Sequence, residues 1–179
     1  MIGSHGPTYY RRYPDKNRIF TPDCQRSDIQ NCTQDELVNT YDNTIAYTDF
    51  VLSRVIDELN YLSELNDVET SMLYISDHGE SLGESGVFLH GLPYAFAPKE
   101  QTHVPLLYWS DYLHQKGRAD CAKEVSNINI SHDNIFDILL SEMSVKSITY
   151  EEQNNPLNRC KLTSTVAKSA SQPTNIGAK

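Results

Sequence analysis

A long amphipathic helix followed at once by a short apolar strand is the feature that most limits how this chain can fold. Thr33 and Glu36 form the S/T-x-x-E pattern that caps the start of a helix. Apolar or small side chains then recur every three or four residues, at Val38, Tyr41, Ile45, Thr48, Leu52, Val55, Ile56 and Leu59. This spacing predicts one helix with one buried face, ending near Asn66. The segment 70–76 (TSMLYIS) predicts a strand covered on both faces, so the two elements together indicate a layered α/β fold.

A second strand is predicted over 103–110 (HVPLLYWS). Pro105 lies within it, which favours an edge strand or a bulge because proline has no N–H to donate. The 77–102 segment between the strands holds several glycines and prolines and is long for a loop, which favours a functional role.

A second helix is predicted over 131–143, capped by Ser131 or Asp133. Four apolar side chains are expected to face inward: Ile135, Phe136, Leu139 and Met143. Beyond about residue 160 the sequence is rich in Ser, Thr, Ala and Lys without an apolar period, which predicts a disordered tail over 161–179.

Composition narrows the function classes. The chain has 179 residues, enough for one domain with a core, and a net charge of −9. This acidity and the absence of Lys/Arg runs argue against a nucleic-acid partner and against a polybasic membrane patch. No apolar stretch approaches the roughly 18–20 residues of a membrane span, and the start lacks the pattern of a signal peptide.

The four cysteines leave two interpretations open. Cys24 and Cys32 flank a short polar loop without the histidine or CxxC partner that a zinc site needs, so a small disulfide-closed loop is favoured over free thiols. Such a disulfide implies an oxidising compartment. Cys121 and Cys160 are candidates for a second bridge.

The stretch 74–91 (YISDHGESLGESGVFLHG) carries the chemistry. Asp77 and His78 stand where the first strand should end, which is where open α/β sheets gather their ligands. A carboxylate and an imidazole suit Zn²⁺ or Mn²⁺, provided that the backbone turns there, and Gly79 permits a turn. His90 follows a short loop later, so the stretch supplies half of a metal site.

The other histidines carry weaker signals. His5 lies in its own glycine-rich segment (GSHGP) and is a candidate third imidazole. His103, His114 and His132 are expected to be structural or solvated. The chain contains no G-x-S-x-G elbow and no phosphate-binding GxxxxGK[ST] loop, so no residue is marked as an activated nucleophile.

Four long segments resemble one enzyme family. The segment SDHGESLGESGVFLHGLPYAFAPKEQTHVP is similar to the C-terminal half of the catalytic domain of lipid A phosphoethanolamine transferases, members of the alkaline phosphatase superfamily that include polymyxin resistance enzymes. IGSHGPTYYRRYP, NTYDNTIAYTDFVLSRVIDEL and SHDNIFDILL resemble further motifs of the family, in the same order. The resemblance implies a partial catalytic domain over 1–160, the C-terminal portion of a three-layer α/β/α sandwich.

The resemblance also implies roles for individual residues. Asp77 and His78 match two ligands of the catalytic zinc, with Mn²⁺ less favoured. His5 and His90 match histidines that bind the substrate phosphate or a second metal. Glu80 is expected to play a supporting role by orienting His78. The pair Cys24 and Cys32 matches a periplasmic disulfide of the family.

In the family, the nucleophilic threonine and a glutamate ligand lie upstream, after several membrane-spanning helices. The resemblance therefore implies a fragment of a protein at the periplasmic face of the bacterial inner membrane. The full-length protein would move phosphoethanolamine from phosphatidylethanolamine to a lipid A phosphate through a covalent phosphothreonine. The isolated chain is expected to be inactive.

Two alternatives stay open. One is another hydrolase of the superfamily, a sulfatase or phosphodiesterase, whose upstream nucleophile motif this chain could not reveal. The other is a truncated remnant without catalysis, which the missing nucleophile favours.

Overall fold

The computed structural model describes residues 3–111, 113 and 119–160. They belong to two compact units, one within Met1–Tyr112 and one within Leu113–Lys179. The predicted tail over 161–179 and His114 lie outside the described residues. A single domain over 1–160 therefore stays a prediction, and each unit is described by itself.

The predicted long helix is confirmed as α1, Gln34–Asn66. Its start carries the expected reciprocal cap: the Glu36 N–H donates to Thr33 Oγ1 at 3.2 Å, and the Thr33 N–H donates to Glu36 Oε2 at 2.8 Å. Its end is a left-handed residue, Asp67, whose N–H bonds to the Ser63 carbonyl. Local sequence signals thus fix both ends of the helix.

The buried face of α1 differs from the prediction. Ile45 and Val55 were expected to be buried, yet they are 47% and 41% exposed. The fully buried positions are mostly polar: Leu37, Thr40, Asn43, Thr44 and Thr48.

The reason is what covers the helix. Its N-terminal half packs against the irregular segment before it, whose partly buried backbone groups need hydrogen-bond partners. The Asn43 Oδ1 accepts the N–H groups of Ile19 and Phe20 at 2.7 and 2.9 Å, and its Nδ2 donates to the Phe20 carbonyl at 2.8 Å. A purely apolar face could not satisfy this segment.

Both predicted strands exist, as β1 (Ser71–Ile75) and β4 (Leu106–Ser110), and they pair antiparallel. The prediction that the first strand is covered on both faces is wrong, because Ser71 is exposed and the remaining β1 residues are half-buried. In the described part of the chain this sheet holds two strands, so each has only one neighbour. Pro105 lies just before β4, where its missing N–H costs no ladder bond.

The segment between these strands is more ordered than a loop. It forms β2 (Ser81–Leu82) and β3 (Phe88–Leu89), which pair antiparallel, and a short helix α2 (Lys99–Thr102). Leu82 belongs to the core of this unit, with Tyr9, Cys24, Ile29 and Leu37. The predicted Cys24–Cys32 disulfide is present, with a Cα–Cα distance of 5.9 Å.

The second unit contains α3 (Ala119–Val125) and α4 (Asn134–Glu142). The second cysteine pair is also bonded: Cys121 of α3 joins Cys160 across 39 residues. Closing a loop of that length restricts the unfolded chain by about 4 kcal/mol in the loop-entropy model.

The predicted helix over 131–143 is confirmed in its position but not in its buried face. Phe136, Leu139 and Met143 are 53%, 44% and 71% exposed, so the expectation that they face inward is wrong. Ile138 and Asp137 are buried instead. Asp137 is needed inside because its carboxylate accepts the Glu151 N–H at 2.8 Å.

The helix start also differs in detail from the prediction. Asp133 precedes the first helical residue, but its side chain makes no capping hydrogen bond. The Asn134 side chain accepts the Ser131 N–H at 2.8 Å instead. Short 3₁₀ turns complete the two units: Tyr9–Arg11, Asp15–Asn17, Ile29–Asn31, Glu84–Gly86, Glu152–Asn154 and Pro156–Cys160.

Candidate metal centre

Three histidines from three separate segments meet in the first unit. His5 precedes α1, His78 follows β1, and His90 follows β3. The His78 and His90 rings stack with centroids 3.9 Å apart, and the His5 ring stands edge-on to both, at 5.6 and 4.7 Å. One nitrogen from each ring lies within 4.8 Å of the others. The fold therefore assembles the three imidazoles that the sequence singled out.

The hydrogen bonds of the rings assign their tautomers. His5 and His78 each place Nδ1 against the carbonyl oxygen of the glycine that follows, at 2.7 and 3.0 Å. His90 places Nδ1 3.0 Å from Glu80 Oε1. Since these oxygens accept hydrogen bonds, the proton is assigned to Nδ1 in each ring, and the lone pair of Nε2 is left for a metal.

Glu80 is the buried anchor of the centre, with its side chain 3% exposed. Its Oε1 accepts the Gly6 N–H at 3.2 Å as well as the His90 Nδ1–H. Its Oε2 accepts the Tyr9 hydroxyl at 2.7 Å. Glu80 was expected to orient His78, but the ring it holds is that of His90.

Tyr9 is a permanent donor in this network. Burial, the hydrogen bond to Glu80 and the negative charge of Glu80 raise the pKa of Tyr9 well above its ordinary value. The raised pKa favours the protonated phenol, which is the form that donates to Glu80. Burial and the charge of Glu80 also raise the pKa of the neighbouring Tyr41.

Asp77 lies beside the cluster but outside it. Its side chain is 90% exposed, and its Oδ1 is 3.9 Å from His78 Nε2. The same oxygen accepts the His78 N–H at 3.1 Å. A shared metal for Asp77 and His78 therefore stays a prediction.

Gly79 contributes space rather than a turn. Its φ is not among the positive values of the described glycines, so a left-handed turn is not its role. A Cβ at this position would collide with the Glu100 carbonyl. The close approach lets the Gly79 N–H donate to the Gln101 carbonyl at 2.9 Å, which joins the β1 end to α2.

A cavity of about 350 Å³ opens beside two of the three histidines of the cluster, His5 and His78. Four predicted site residues line it: His5, Asp77, His78 and Glu80. Other lining residues were not predicted to belong to the site: Tyr41, Ile45, Tyr74, Ile75, Glu100 and His103. His103 was expected to be structural or solvated, and its place at this cavity was missed. Neither Glu100 nor His103 lies in a motif with metal-ligand spacing, so only the folded chain reveals them.

The donor set fits a zinc ion. Imidazole nitrogen is a preferred zinc ligand, and three protein ligands with one open position are typical of catalytic zinc sites. The carboxylate–histidine contact of Glu80 and His90 is the usual outer support of such a ligand. The three histidines are thus a candidate metal site.

Comparison with known proteins places these features in one family. A family model described as Sulfatase matches residues 1–145. Phosphoethanolamine transferase EptA of Salmonella typhimurium is 46% identical over 164 residues, which are 89% of this chain and 30% of that protein. Phosphatidylethanolamine transferase Mcr-1 of Escherichia coli is 44% identical over 145 residues, 81% of this chain and 26% of that protein.

Solved structures give the same relationship. The C-terminal periplasmic domain of phosphoethanolamine transferase EptC from Campylobacter jejuni has a TM-score of 0.78 at 46% identity, covering 87% of this chain and 48% of that chain. The soluble domain of lipooligosaccharide phosphoethanolamine transferase A from Neisseria meningitidis has a TM-score of 0.82 at 43% identity, covering 90% and 49%.

These comparisons confirm the α/β class and the sulfatase-like fold. This chain spans about 30% of the length of the curated relatives and about half of the soluble domains that it matches. Within its described residues, no helix has the length and apolar character that crossing a bilayer requires.

Proposed function

The chain belongs to the sulfatase family, and from this premise we propose that it carries the histidine-bearing part of a phosphoethanolamine transferase. The observation that carries the proposal is the convergence of His5, His78 and His90, each with Nδ1 bonded to an acceptor oxygen. A merely structural histidine cluster would not need one ring nitrogen of each histidine within 4.8 Å of the others.

Zinc is the metal we propose for this site, and Mn²⁺ is the weaker alternative. His78 would hold it, together with Asp77 or with His5 and His90. A bound zinc supplies positive charge beside a phosphoryl oxygen and lowers the pKa of a coordinated hydroxyl. Glu80 keeps the His90 ring oriented, and its burial excludes water from that hydrogen bond.

Charge around the cavity favours a phosphoethanolamine donor. The imidazoles of the cavity suit phosphoryl oxygens, because they present N–H donors or a metal to them. Asp77 and Glu100 line the same cavity and suit a cationic ammonium group. A phosphoethanolamine group carries both charges.

We propose for the full-length protein the substrates and location that the resemblance implies. Phosphatidylethanolamine passes its phosphoethanolamine group to a threonine outside this chain and releases diacylglycerol. A lipid A phosphate then displaces the threonine and takes the group at the periplasmic face of the inner membrane. An added ammonium makes the outer surface less anionic, which weakens binding of cationic peptides.

The test is a chimera in which this chain replaces the matched part of Salmonella typhimurium EptA. We expect the chimera to add phosphoethanolamine to lipid A, seen by mass spectrometry. His78→Ala in the chimera should lower the modified fraction about 100-fold, because it removes a group that stabilises charge in the transition state.

His132→Ala is the matched control, since this histidine lies in the second unit and is not part of the cluster. It should leave lipid A modification within about twofold of the parent chimera. Unchanged modification in the His78→Ala chimera would refute the assigned role. A folded, inactive parent chimera would favour a non-catalytic remnant.

Sulfate ester hydrolysis is the second candidate, because the matching family model is described as Sulfatase. The two activities separate in one assay of the same chimera with an aryl sulfate. We expect no sulfate release, because an aryl sulfate lacks the ammonium group that the Asp77 and Glu100 carboxylates of the cavity suit.

A further inference from the structure

One oxygen atom of Glu80 joins two of the three histidine segments. Glu80 Oε1 lies 3.0 Å from His90 Nδ1 and accepts the Gly6 N–H at 3.2 Å. Gly6 directly follows His5 in the chain. The position of this oxygen therefore sets the His90 ring and the His5 backbone relative to each other.

The other oxygen of Glu80 is held by Tyr9. The Tyr9 hydroxyl donates to Oε2 at 2.7 Å, and among the described residues it is the only donor to that atom. Tyr9 is 1% exposed, so water has no access to replace this bond. A Cβ on Gly6 would lie 2.6 Å from the Tyr9 hydroxyl oxygen, so the glycine leaves the space in which this contact forms.

We propose that Tyr9 is a positioning residue of the metal centre: its hydroxyl fixes the Glu80 carboxylate, and thereby the tautomer of His90 and the placement of His5. Without the hydroxyl, the carboxylate can rotate about its last bond, and Oε1 no longer receives both donors. His90 can then carry its proton on Nε2, which removes the lone pair that a metal needs. The enzymatic consequence rests on the proposed function, whereas the hydrogen-bond geometry does not.

The test is Tyr9→Phe in the 179-residue chain, with Zn²⁺ alone as the probe. We expect zinc affinity, measured by competition with a chelator, to fall about tenfold. Nitrogen-15 NMR of the histidine rings should show His90 changing from the Nδ1–H tautomer to a mixture. A loss of packing alone would not move that signature.

Tyr13→Phe is the matched control. Tyr13 is also buried, at 6% exposure, and its hydroxyl also donates to a carboxylate, that of Asp23, at 2.9 Å. It takes no part in the histidine cluster. This variant should keep zinc affinity within about twofold of the parent and leave the His90 tautomer unchanged.

A double-mutant cycle tests whether Tyr9 acts through Glu80. In a Glu80→Ala background, Tyr9→Phe should change zinc affinity by less than about twofold, because no side-chain oxygen is left there for the Tyr9 hydroxyl to bind. A repeated tenfold loss in that background would overturn the proposal. Unchanged affinity and tautomer in a folded Tyr9→Phe chain would overturn it equally.

If Tyr9→Phe does not fold, NMR spectra of the parent chain test the proposal instead. A parent spectrum with His90 as Nδ1–H and a slowly exchanging Tyr9 hydroxyl proton supports the proposal. A parent His90 with its proton on Nε2 overturns it. Neither the His90 tautomer nor the exchange of the Tyr9 hydroxyl proton requires enzymatic turnover. An inactive EptA chimera would therefore count against the proposed function but not against the positioning role of Tyr9.

Discussion

Gly79 and Glu100 approach so closely that a single methyl group on Gly79 would overlap the Glu100 carbonyl oxygen. Gly79 lies between His78 of the cluster and the buried Glu80. Its close contact with Glu100 brings the segment that follows β1 against α2. The arrangement of the histidine cluster therefore depends on a residue that carries no side chain.

Gly79→Ala should separate these two segments and move His78. We expect a loss of about 2 kcal/mol in the free energy of unfolding, measured by urea denaturation, and at least about tenfold weaker zinc binding. Gly86→Asn is the control, because nothing lies within 4 Å of an added Cβ there and asparagine tolerates the positive φ of 78°. A Gly79→Ala chain that binds zinc like the parent would contradict the steric explanation.

Zinc should stabilise the folded chain through the three histidines. A ligand that binds only the folded state at a hundredfold excess over its Kd adds about 2.7 kcal/mol, visible as a raised thermal midpoint. His90→Ala should abolish most of that rise, and excess chelator should reverse it in the parent. His132→Ala should keep the full rise, and an equal loss in both variants would point to nonspecific binding.

Asp28 in the disulfide-closed loop should titrate at unusually low pH. The hydrogen bonds from Arg26 and from Asn31 lower the pKa of Asp28 to about 2, from an ordinary value of 3.8. Because the folded value is the lower one, the contribution of this carboxylate to stability is present above pH 3.8 and is lost as the pH falls through about 2. NMR titration should show this pKa rising toward 3.8 in Arg26→Gln and staying in place in Arg54→Gln, which alters a separate ion pair on α1.

Asp111 should be a stability residue remote from the centre. It is 5% exposed, and its carboxylate accepts the Ser63 hydroxyl and, at 3.1 Å, the Thr70 N–H. Asp111→Ala leaves the Thr70 N–H without this acceptor, and the Ser63 hydroxyl keeps only the Val68 carbonyl, at 2.7 Å. We therefore expect a loss of about 2 kcal/mol in urea denaturation. Asp57→Ala removes an exposed ion pair and should cost less than about 0.5 kcal/mol. Equal losses of unfolding free energy in the two variants would contradict a particular stabilising role of Asp111.

Sequence reasoning predicted the elements better than their environments. The cap at Thr33 and the strand before Asp77 follow from local chemistry, and both are present. The buried face of α1 could not be predicted, because Asn43 is buried to satisfy backbone groups that are distant in sequence. Spacing favours apolar faces, and it cannot reveal which distant carbonyls need a donor.

In the candidate site, too, the sequence predicted which residues take part better than it predicted their contacts. His78 and His90 were selected because they lie in one motif, and His5 because glycines surround it. The partner of Glu80 was assigned wrongly, since proximity in sequence favoured His78 whereas the β2–β3 hairpin brings His90 to it. Tyr9 and His103 lie in segments that resemble the family, but the sequence assigned neither a role in the site, and only the fold places them at the cluster and the cavity.

The polar face of α1 has a consequence for how accurately the segment that carries His5 is positioned. The Thr44 and Ser4 hydroxyls are hydrogen-bonded at 2.6 Å, one residue before His5, and Asn43 binds the backbone further along the same segment. Hydrogen bonds weaken steeply when their angle changes, whereas apolar contacts are not directional. The polar face of α1 therefore restricts the orientation of the segment that carries His5 as well as its distance from the helix.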